Sequence, residues 1–255
     1  MESINNILSR FQSTTLEEMD SVKLMDRTDT KFTFTLQNLE EILPLLVKDY
    51  KILEVENKRL SRYQTLYYDT PSFALYTAHH NGKLNRYKIR QRTYVESGIR
   101  FLEVKFKSNK NRTIKNRIKL NSNSSDLDDV QHNFLSDNIA FDSKSLLPVL
   151  WVNYTRLTFV SLKNTERLTI DLDLNFLNET VNSSMNNLVI AEVKREGKKN
   201  SAFITEAKKR HIREGSISKY CLGVALCMNK VKKNNFKERI LNLKKTLSND
   251  TIAIN

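Results

Sequence analysis

Hydrophobic and polar residues alternate along three consecutive segments between Lys83 and Leu120. The segments are RYKIRQRTY, IRFLEVKFK and TIKNRIKL, separated by a turn at Ser97-Gly98 and a polar turn near Asn109. Because successive side chains of a strand point to opposite faces, this alternation predicts three half-buried strands. Their short connections predict an antiparallel meander.

Similar patterns predict the remaining elements. We expect further strands at 31–35, 50–56, 62–69, 149–160, 166–176 and 187–196. We expect helices within 1–24, at 36–48, between Asp69 and His80, within 121–147, and at 201–213 and 217–228. About eight strands with short connections and peripheral helices predict an α+β fold, built on an antiparallel sheet.

Four basic residues alternate along the first strand of the meander. Arg86, Lys88, Arg90 and Arg92 would share one face, with neighbours about 6.6 Å apart. At an effective dielectric constant of about 20, each neighbouring pair would repel by roughly 2.5 kcal/mol before salt screening. Whole domains are stable by only about 5–15 kcal/mol. Such a row therefore needs water, carboxylates or a bound polyanion beside it.

Matching positions on the other predicted strands extend this basic face. They are Arg27, Asp29 and Lys31; Glu103, Lys105 and Lys107; Lys115, Arg117 and Lys119; Tyr154 and Arg156; Arg167, Thr169, Asp171 and Asp173; and Glu192 and Lys194. A solvated face explains any one of these strands, but it usually mixes its charges with Thr, Ser and Gln. Repetition on seven strands favours a barrel with a charged interior that holds a chain of phosphates. The isolated carboxylates suit Mg²⁺ or Mn²⁺, which bind oxygen ligands.

Composition supports an anionic partner. The 255 residues have a formal net charge of +13, which favours phosphates, nucleic acid or a membrane surface as partners. Cys221 and Cys227 are too few for a disulfide framework and are expected as buried thiols in a reducing compartment. The four histidines have no zinc-site spacing and are expected at the surface, and no glycine-rich phosphate loop is present. With no signal-peptide pattern and no apolar run near the ~20 residues that span a bilayer, we expect a cytoplasmic protein.

An ordered series of short motifs resembles one family. The motifs are LMDRTDTKF, LYYDTP, NRYKIRQRTY, FLEVKFK, IKNRIKL, YTRLTF, RLTIDLDL, IAEVKRE and SISKY, between Leu24 and Tyr220. Together they resemble the VTC domain of the triphosphate tunnel metalloenzyme superfamily. The resemblance implies an antiparallel tunnel barrel that makes inorganic polyphosphate from ATP with a divalent metal, typically Mn²⁺.

The resemblance also implies roles for individual residues. It implies phosphate ligands at Lys31, Arg86, Arg90, Arg92, Lys105, Arg156 and Arg167, and at Ser218 and Lys219 on a helix that closes one tunnel mouth. From the shared face we add Arg27, Lys88, Lys107, Lys115, Arg117, Tyr154 and Lys194 to the phosphate-binding set. Glu192 matches the metal-binding glutamate of the family, and Glu103 is the second expected metal ligand. We expect Lys31, Arg90, Arg92 and Lys219 to take part in catalysis.

One departure from the superfamily pattern affects the expected reaction. Many tunnel hydrolases have an ExExK metal motif on the first strand, where this chain has Arg27, Asp29 and Lys31. The missing first carboxylate weakens a two-metal hydrolase site and favours a phosphotransferase that uses ATP and polyphosphate. Two alternatives stay open: an inorganic or nucleoside triphosphatase of the same fold, and a non-catalytic polyanion-binding module. Nucleic acid is the less expected partner.

The expected organisation has three parts. A helical lead-in occupies 1–23, the tunnel domain 24–229, and a basic tail 230–255. The tail is the candidate contact for a membrane protein or a membrane surface.

Overall fold

An eleven-stranded sheet forms the centre of the computed structural model, which describes residues 4–21, 27–110, 112–197 and 199–247. The strands are β1 (Gln12–Thr14), β2 (Arg27–Thr35), β3 (Tyr50–Leu53), β4 (Ser61–Asp69), β5 (Arg86–Tyr94), β6 (Ile99–Lys107), β7 (Thr113–Leu120), β8 (Leu147–Ser161), β9 (Glu166–Leu177), β10 (Asn182–Met185) and β11 (Leu188–Glu196). Hydrogen-bonded neighbours follow the order β2-β11-β9-β8-β4-β5-β6-β7, and each pair on this path is antiparallel. The predicted α+β fold with an antiparallel sheet is confirmed.

The sheet curves but does not close. Within the described residues no backbone pairing joins β2 to β7. The edge of β2 is instead covered in part by the segment before residue 216, where Gly215 donates its N–H to the Lys31 carbonyl at 2.8 Å. The two ends of the sheet nevertheless come near each other: the charges of Lys31 on β2 and Glu192 on β11 affect the pKa of Lys105 on β6. The predicted closed barrel is therefore corrected to an open, curved sheet.

Eight α-helices are found in the described chain. They are α1 (Ile4–Ser9), α2 (Leu16–Ser21), α3 (Leu36–Ile42), α4 (Ala74–His80), α5 (Asp129–Asn138), α6 (Ala202–Lys209), α7 (Lys219–Cys227) and α8 (Asn234–Thr246). Side chains of Thr35, Asp128, Ser201 and Ser218 cap α3, α5, α6 and α7 by accepting a backbone N–H three residues on. No helix in the described ranges is long and apolar enough to cross a membrane.

Four of the described helices cover the convex face of the sheet. Helices α1, α3 and α6 pack on β2, β8, β9 and β11 through residues such as Phe32, Phe159 and Phe203. Helix α5 covers β4, β5 and β6, where Ile89 and Leu102 are fully buried. This burial leaves the alternate side chains of the same strands on the concave face.

Helix α7 is different because it packs inside the curve of the sheet, at one end. A β-bulge in β9 makes this possible: Asp173 has a φ of 52°, and the β8–β9 register shifts beside it. The shift exposes Asp173 and turns Leu174 and Phe176 toward α7. At Gly223 the contact is so close that a Cβ atom would lie 2.4 Å from the Phe176 ring. The prediction that Asp173 continues the basic face is therefore wrong.

Several other predictions need correction. Strand β1 interrupts the helix expected within 1–24, and the short strand β10 was not predicted. The helix expected at 36–48 ends at Ile42 and continues as a 3₁₀ turn containing Pro44, which has no N–H to donate. Helix α6 ends at Lys209, before the left-handed His211. His80 is buried, not at the surface, and its Nε2 accepts the Asn235 N–H at 3.2 Å.

The segments expected to flank the tunnel domain pack on its core. Ile7 and Leu8 of α1 are buried with β3, β8 and β9. Phe236 and Leu243 of α8 are buried against α7 and the inner end of the sheet. The three-part boundary assignment stays a prediction, but both described flanks contribute apolar side chains to the folded domain.

Candidate functional site

The predicted basic face lines the concave side of the sheet, and we call the space that it encloses the tunnel. Cross-strand pairs bring its residues together: Glu192 lies opposite Lys31, Arg90 opposite Glu103, and Lys88 opposite Lys105. Because every second residue of each strand points the same way, charged groups from seven strands converge there. Among the described tunnel residues, three groups of side chains form ion pairs around a carboxylate. A further pair of lysines has no carboxylate partner.

The first group surrounds Glu103 on β6. Its side chain is 1% exposed, and its carboxylate binds Arg90 at 2.6 Å and Lys115 at 2.7 Å. Burial raises the pKa of Glu103, but the charges of Arg90 and Arg92 outweigh it and lower this pKa to about 2. The carboxylate is therefore ionised at neutral pH and fixes the Arg90 guanidinium in place.

The second group surrounds Asp171 on β9, just before the bulge. Arg156 on β8 donates to both of its oxygens, at 2.6 and 2.8 Å, in a bidentate pair. Lys219, the first residue of α7, donates to the same carboxylate. Burial opposes the charge on Asp171, but Arg156 and Lys219 together hold its pKa well below the usual range. This group joins the sheet to the start of α7.

The third group surrounds Glu192 on β11. Its oxygens lie 3.4 Å from Lys31 Nζ and 2.9 Å from Lys194 Nζ. Burial raises the pKa of Glu192, but Lys194 and Lys31 lower it to about 2. At 19% exposure, its side chain is more accessible than those of Glu103 and Asp171. Of these three carboxylates, Glu192 is thus the one best placed to meet a cation from solvent.

A metal would have few protein ligands here. Among the described residues, no group of three or more His, Cys, Asp or Glu side chains could hold a metal ion. Mg²⁺ commonly binds through one or two carboxylates together with substrate phosphates. Each of the two carboxylates already pairs with two cations, but Glu192 is 19% exposed and can take part in this kind of site, whereas Glu103 is only 1% exposed. The protein ligands present here suit a metal cation that binds together with the phosphates of a substrate.

Lys88 and Lys105 differ from the other tunnel cations. They lie opposite each other on β5 and β6, and neither forms an ion pair within the described chain. Lys88 Nζ instead donates a hydrogen bond to Ser218 Oγ at 2.9 Å. Ser218 is the residue that caps α7. Burial, together with neighbouring cations, lowers the pKa of both lysines, that of Lys105 to about 8. This pair is the part of the tunnel with the least compensated positive charge.

Aromatic residues form another part of the tunnel surface. The Arg92 guanidinium lies 5.3 Å from the centre of the Tyr63 ring, and Arg156 lies 5.1 Å from the same ring. Tyr154 stacks on Tyr63 with ring centres 5.1 Å apart. Only Tyr154 was predicted here. The alternation in RYQTLYYD places Tyr63 and Tyr67 on one face and was the signal for them.

A buried carboxylate outside the predicted set positions α7. Asp69, fully buried at the end of β4, accepts the backbone N–H groups of Leu75 at 2.9 Å and Tyr76 at 2.8 Å. It also accepts the hydroxyl of Tyr220, which directly follows Lys219. Asp69 therefore ties the beginnings of α4 and α7 to one strand end, and so places Ser218 and Lys219 at the tunnel.

Other predicted residues lie toward the ends of the tunnel or contact other parts of the chain. Arg86, opposite Lys107, donates to the Lys83 carbonyl at 2.7 Å. Arg117 is exposed and stacks on Phe101, with its guanidinium 4.4 Å from the ring centre. Arg167 donates to the Met19 carbonyl at 3.1 Å. The Arg27 side chain lies outside the part of the chain that the structure describes.

Comparisons with known proteins give one family and several distant folds. The family model described as "VTC domain" matches residues 26–228. A proposed adenylate cyclase from Vibrio parahaemolyticus is 14% identical, with a TM-score of 0.46 over 78% of this chain and 99% of that chain. A proposed adenylyl cyclase from Hippeastrum, described as revealing a dominant triphosphatase activity, is 11% identical, with a TM-score of 0.47 over 80% and 98% of the two chains. No curated protein matches this chain.

Proposed function

Because the chain belongs to the VTC domain family, we propose that it transfers the terminal phosphoryl group of ATP to a growing polyphosphate chain. The reaction requires Mn²⁺ or Mg²⁺ and takes place in the tunnel. ATP as the donor makes the cytoplasm the proposed location.

The Lys88–Lys105 pair is the observation that supports this proposal most directly. Two lysines with lowered pKa values face each other without a carboxylate, while Glu103, Asp171 and Glu192 compensate the cations around them. A bound phosphate chain supplies the missing negative charge. Solvent weakens the like-charge repulsion, whereas a phosphate chain replaces it with attraction.

The ion-paired groups have a positioning role in this proposal. Arg90 and Arg156 are each held by a carboxylate, so their remaining N–H groups face the phosphates with little loss of side-chain entropy on binding. Lys31 on β2 and Lys219 on α7 add point charges. Arg92 lies over Tyr63, and its Nε has no hydrogen-bond partner among the described residues, so it too is available to an anion.

Phosphoryl transfer in such a site depends on charge and alignment. The cations stabilise the charge that develops on the transferred group while donor and acceptor lie in line. The acceptor is the terminal oxygen of a phosphate chain, which is already anionic at neutral pH. Attack by this oxygen needs no side-chain base.

Glu192 is the proposed protein ligand of the metal. When bound there, the metal would supply positive charge to the phosphates. The chain's own contribution is to keep Glu192 ionised, through Lys31 and Lys194. Lys31 and Lys194 also place positive charge at the tunnel surface, where they would bind phosphate oxygens.

The product of incubation with ATP and Mn²⁺ tests the proposal. We expect a ladder of polyphosphate lengths on a gel from the wild-type protein. Glu192→Gln should abolish the ladder, whereas Glu196→Gln, the same change on an exposed residue of β11, should preserve it. Thermal unfolding of both variants checks that the fold is retained.

Two results would contradict the polymerase proposal. Release of free phosphate without a ladder would identify a triphosphatase, with water as the acceptor. Salt-dependent binding of polyphosphate without metal-dependent turnover would identify a polyanion-binding module. Full activity of Glu192→Gln would overturn the assignment of the metal ligand.

A further inference from the structure

A cavity of about 690 Å³ adjoins the tunnel at the end where β2 finishes. Its lining includes Thr33 and Thr35, which share a face of β2 with Lys31. It also includes Ser218, whose Oγ accepts the hydrogen bond from Lys88 in the tunnel. The cavity therefore begins where the tunnel surface of Lys31 and Lys88 ends.

Helix α7 occupies the other side of this tunnel end. Its residues from Tyr220 to Cys227 pack against the inward-facing Val152, Leu174 and Ile190 of β8, β9 and β11. A linear ligand that extends past Lys88 toward α7 is therefore blocked by the apolar contacts between α7 and the sheet. The space beside β2, bounded by the segment at 210–218 and α8, remains open to it.

The cavity is basic. Arg213, Arg239 and Lys245 line it, are exposed, and form no ion pair within the described chain. A fourth cation, Arg210, is compensated by Glu41 and Glu206. Glu214 is the single carboxylate among the described lining residues, so the surface has a net positive charge.

Positive charge is continuous from the tunnel to the cavity. His79 on α4 supports this continuity, because cations of both regions lower its pKa. Burial, followed by the charges of Lys88, Arg86 and Arg239, lowers the pKa of His79 to about 3. Charges from the tunnel strand β5 and from the cavity helix α8 thus affect the pKa of the same imidazole.

We propose that this cavity binds the part of a linear polyphosphate chain that extends beyond the tunnel, between β2 and α8. The identity of the ligand rests on the proposed function. The volume is in the range of ligand sites, about 300–1,000 Å³. Its unpaired cations suit a flexible polyanion without base or sugar groups. On this proposal a phosphate chain of only three units is held by the tunnel cations and does not depend on Arg239.

Binding of ready-made chains of two lengths tests the proposal. The cavity variant is Arg239→Gln with Lys245→Gln, and the control is Lys237→Gln with Lys244→Gln, which removes two charges from the same helix outside the cavity lining. We expect the cavity variant to bind long-chain polyphosphate about tenfold more weakly and the control less than twofold more weakly. Tripolyphosphate should bind equally to wild type and both variants.

Three outcomes would overturn the proposal. Equal losses in the two double variants would mean that only the overall charge of α8 matters. A matching loss of tripolyphosphate binding would mean that the variant damages the tunnel itself. An equal loss of single-stranded DNA binding would point to a nucleic-acid groove instead.

Failure of the proposed function gives a different result. The binding experiment uses no ATP, so a protein that makes no polymer can still show the length-dependent difference. In that case the result supports the cavity assignment and contradicts only the polymerase assignment.

Discussion

Asp171 offers the sharpest test of the tunnel's charge arrangement. Its carboxylate, 4% exposed, holds Arg156 in a bidentate pair and Lys219 at the start of α7. Asp171→Asn preserves the shape of the side chain but removes the negative charge. The variant therefore leaves two largely buried cations without their counter-charge.

The expected cost follows from this geometry. Two unit charges about 4 Å apart attract by roughly 4 kcal/mol at an effective dielectric constant of about 20. Breaking a buried pair on one side costs about 3–5 kcal/mol, and the amide oxygen still accepts one hydrogen bond, so we expect about 3 kcal/mol. For a chain of this length, that lowers the melting temperature by roughly 6–12 °C.

Thermal unfolding at neutral pH measures this loss, and the bulge in β9 provides a matched control. Asp173 is exposed two residues further on, with a φ of 52° that Asn tolerates. Asp173→Asn should therefore shift the melting temperature by less than about 2 °C, since surface substitutions usually cost under about 0.5 kcal/mol. Because the pKa of Asp171 is lowered on folding, its contribution is complete at neutral pH and lost only as the solution becomes strongly acidic.

Addition of saturating tripolyphosphate separates a charge effect from a packing defect. The unpaired Arg156 and Lys219 gain a counter-charge from the ligand, so the ligand should raise the melting temperature of Asp171→Asn more than that of wild type. Equal melting temperatures of the Asp171 and Asp173 variants would refute the buried ion-pair reasoning. A smaller ligand-induced shift in the Asp171 variant would refute the placement of these cations at the anion site.

Three further predictions concern other parts of the site. Tripolyphosphate affinity should fall as pH rises through about 8, because Lys105 loses its proton. Calorimetry should show a weaker fall for Lys105→Arg, and the same pH dependence in this variant and wild type would contradict the prediction. Gly223→Ala should cost about 1–3 kcal/mol in urea unfolding, because its Cβ meets the Phe176 ring, whereas Gly215→Ala, with no atom nearby, should be close to neutral. Tyr220→Phe removes a donor from the buried Asp69 and should cost about 1–3 kcal/mol; unfolding identical to wild type would mean that the hydroxyl does not hold α7.

Local patterns predicted the strands and the basic face. Alternation is a property of a few neighbouring residues, so Arg86 to Arg92 were assigned to one face without knowledge of the partner strands. The β9 bulge could not be predicted in this way, because Asp173 leaves the alternation only where β9 pairs with β8. The role of Asp69 depends on Tyr220, 151 residues away. Strands β1 and β10 have 3 and 4 residues, too few for a periodic signal.

The division between paired and unpaired cations explains how one surface can be both stable and ready to bind. Glu103, Asp171 and Glu192 each hold two cations, which removes most of the repulsion that a continuous row of Arg and Lys would create. Between these groups Lys88 and Lys105 form no ion pair within the described chain, and burial together with neighbouring cations lowers the pKa of both. A bound phosphate chain would place negative charge beside them, so binding should raise both pKa values. For Lys105, whose pKa is about 8, the rise means that protons are taken up above pH 8. Proton uptake is therefore a direct signature of occupation at this pair, and it should disappear when both lysines are replaced by glutamine.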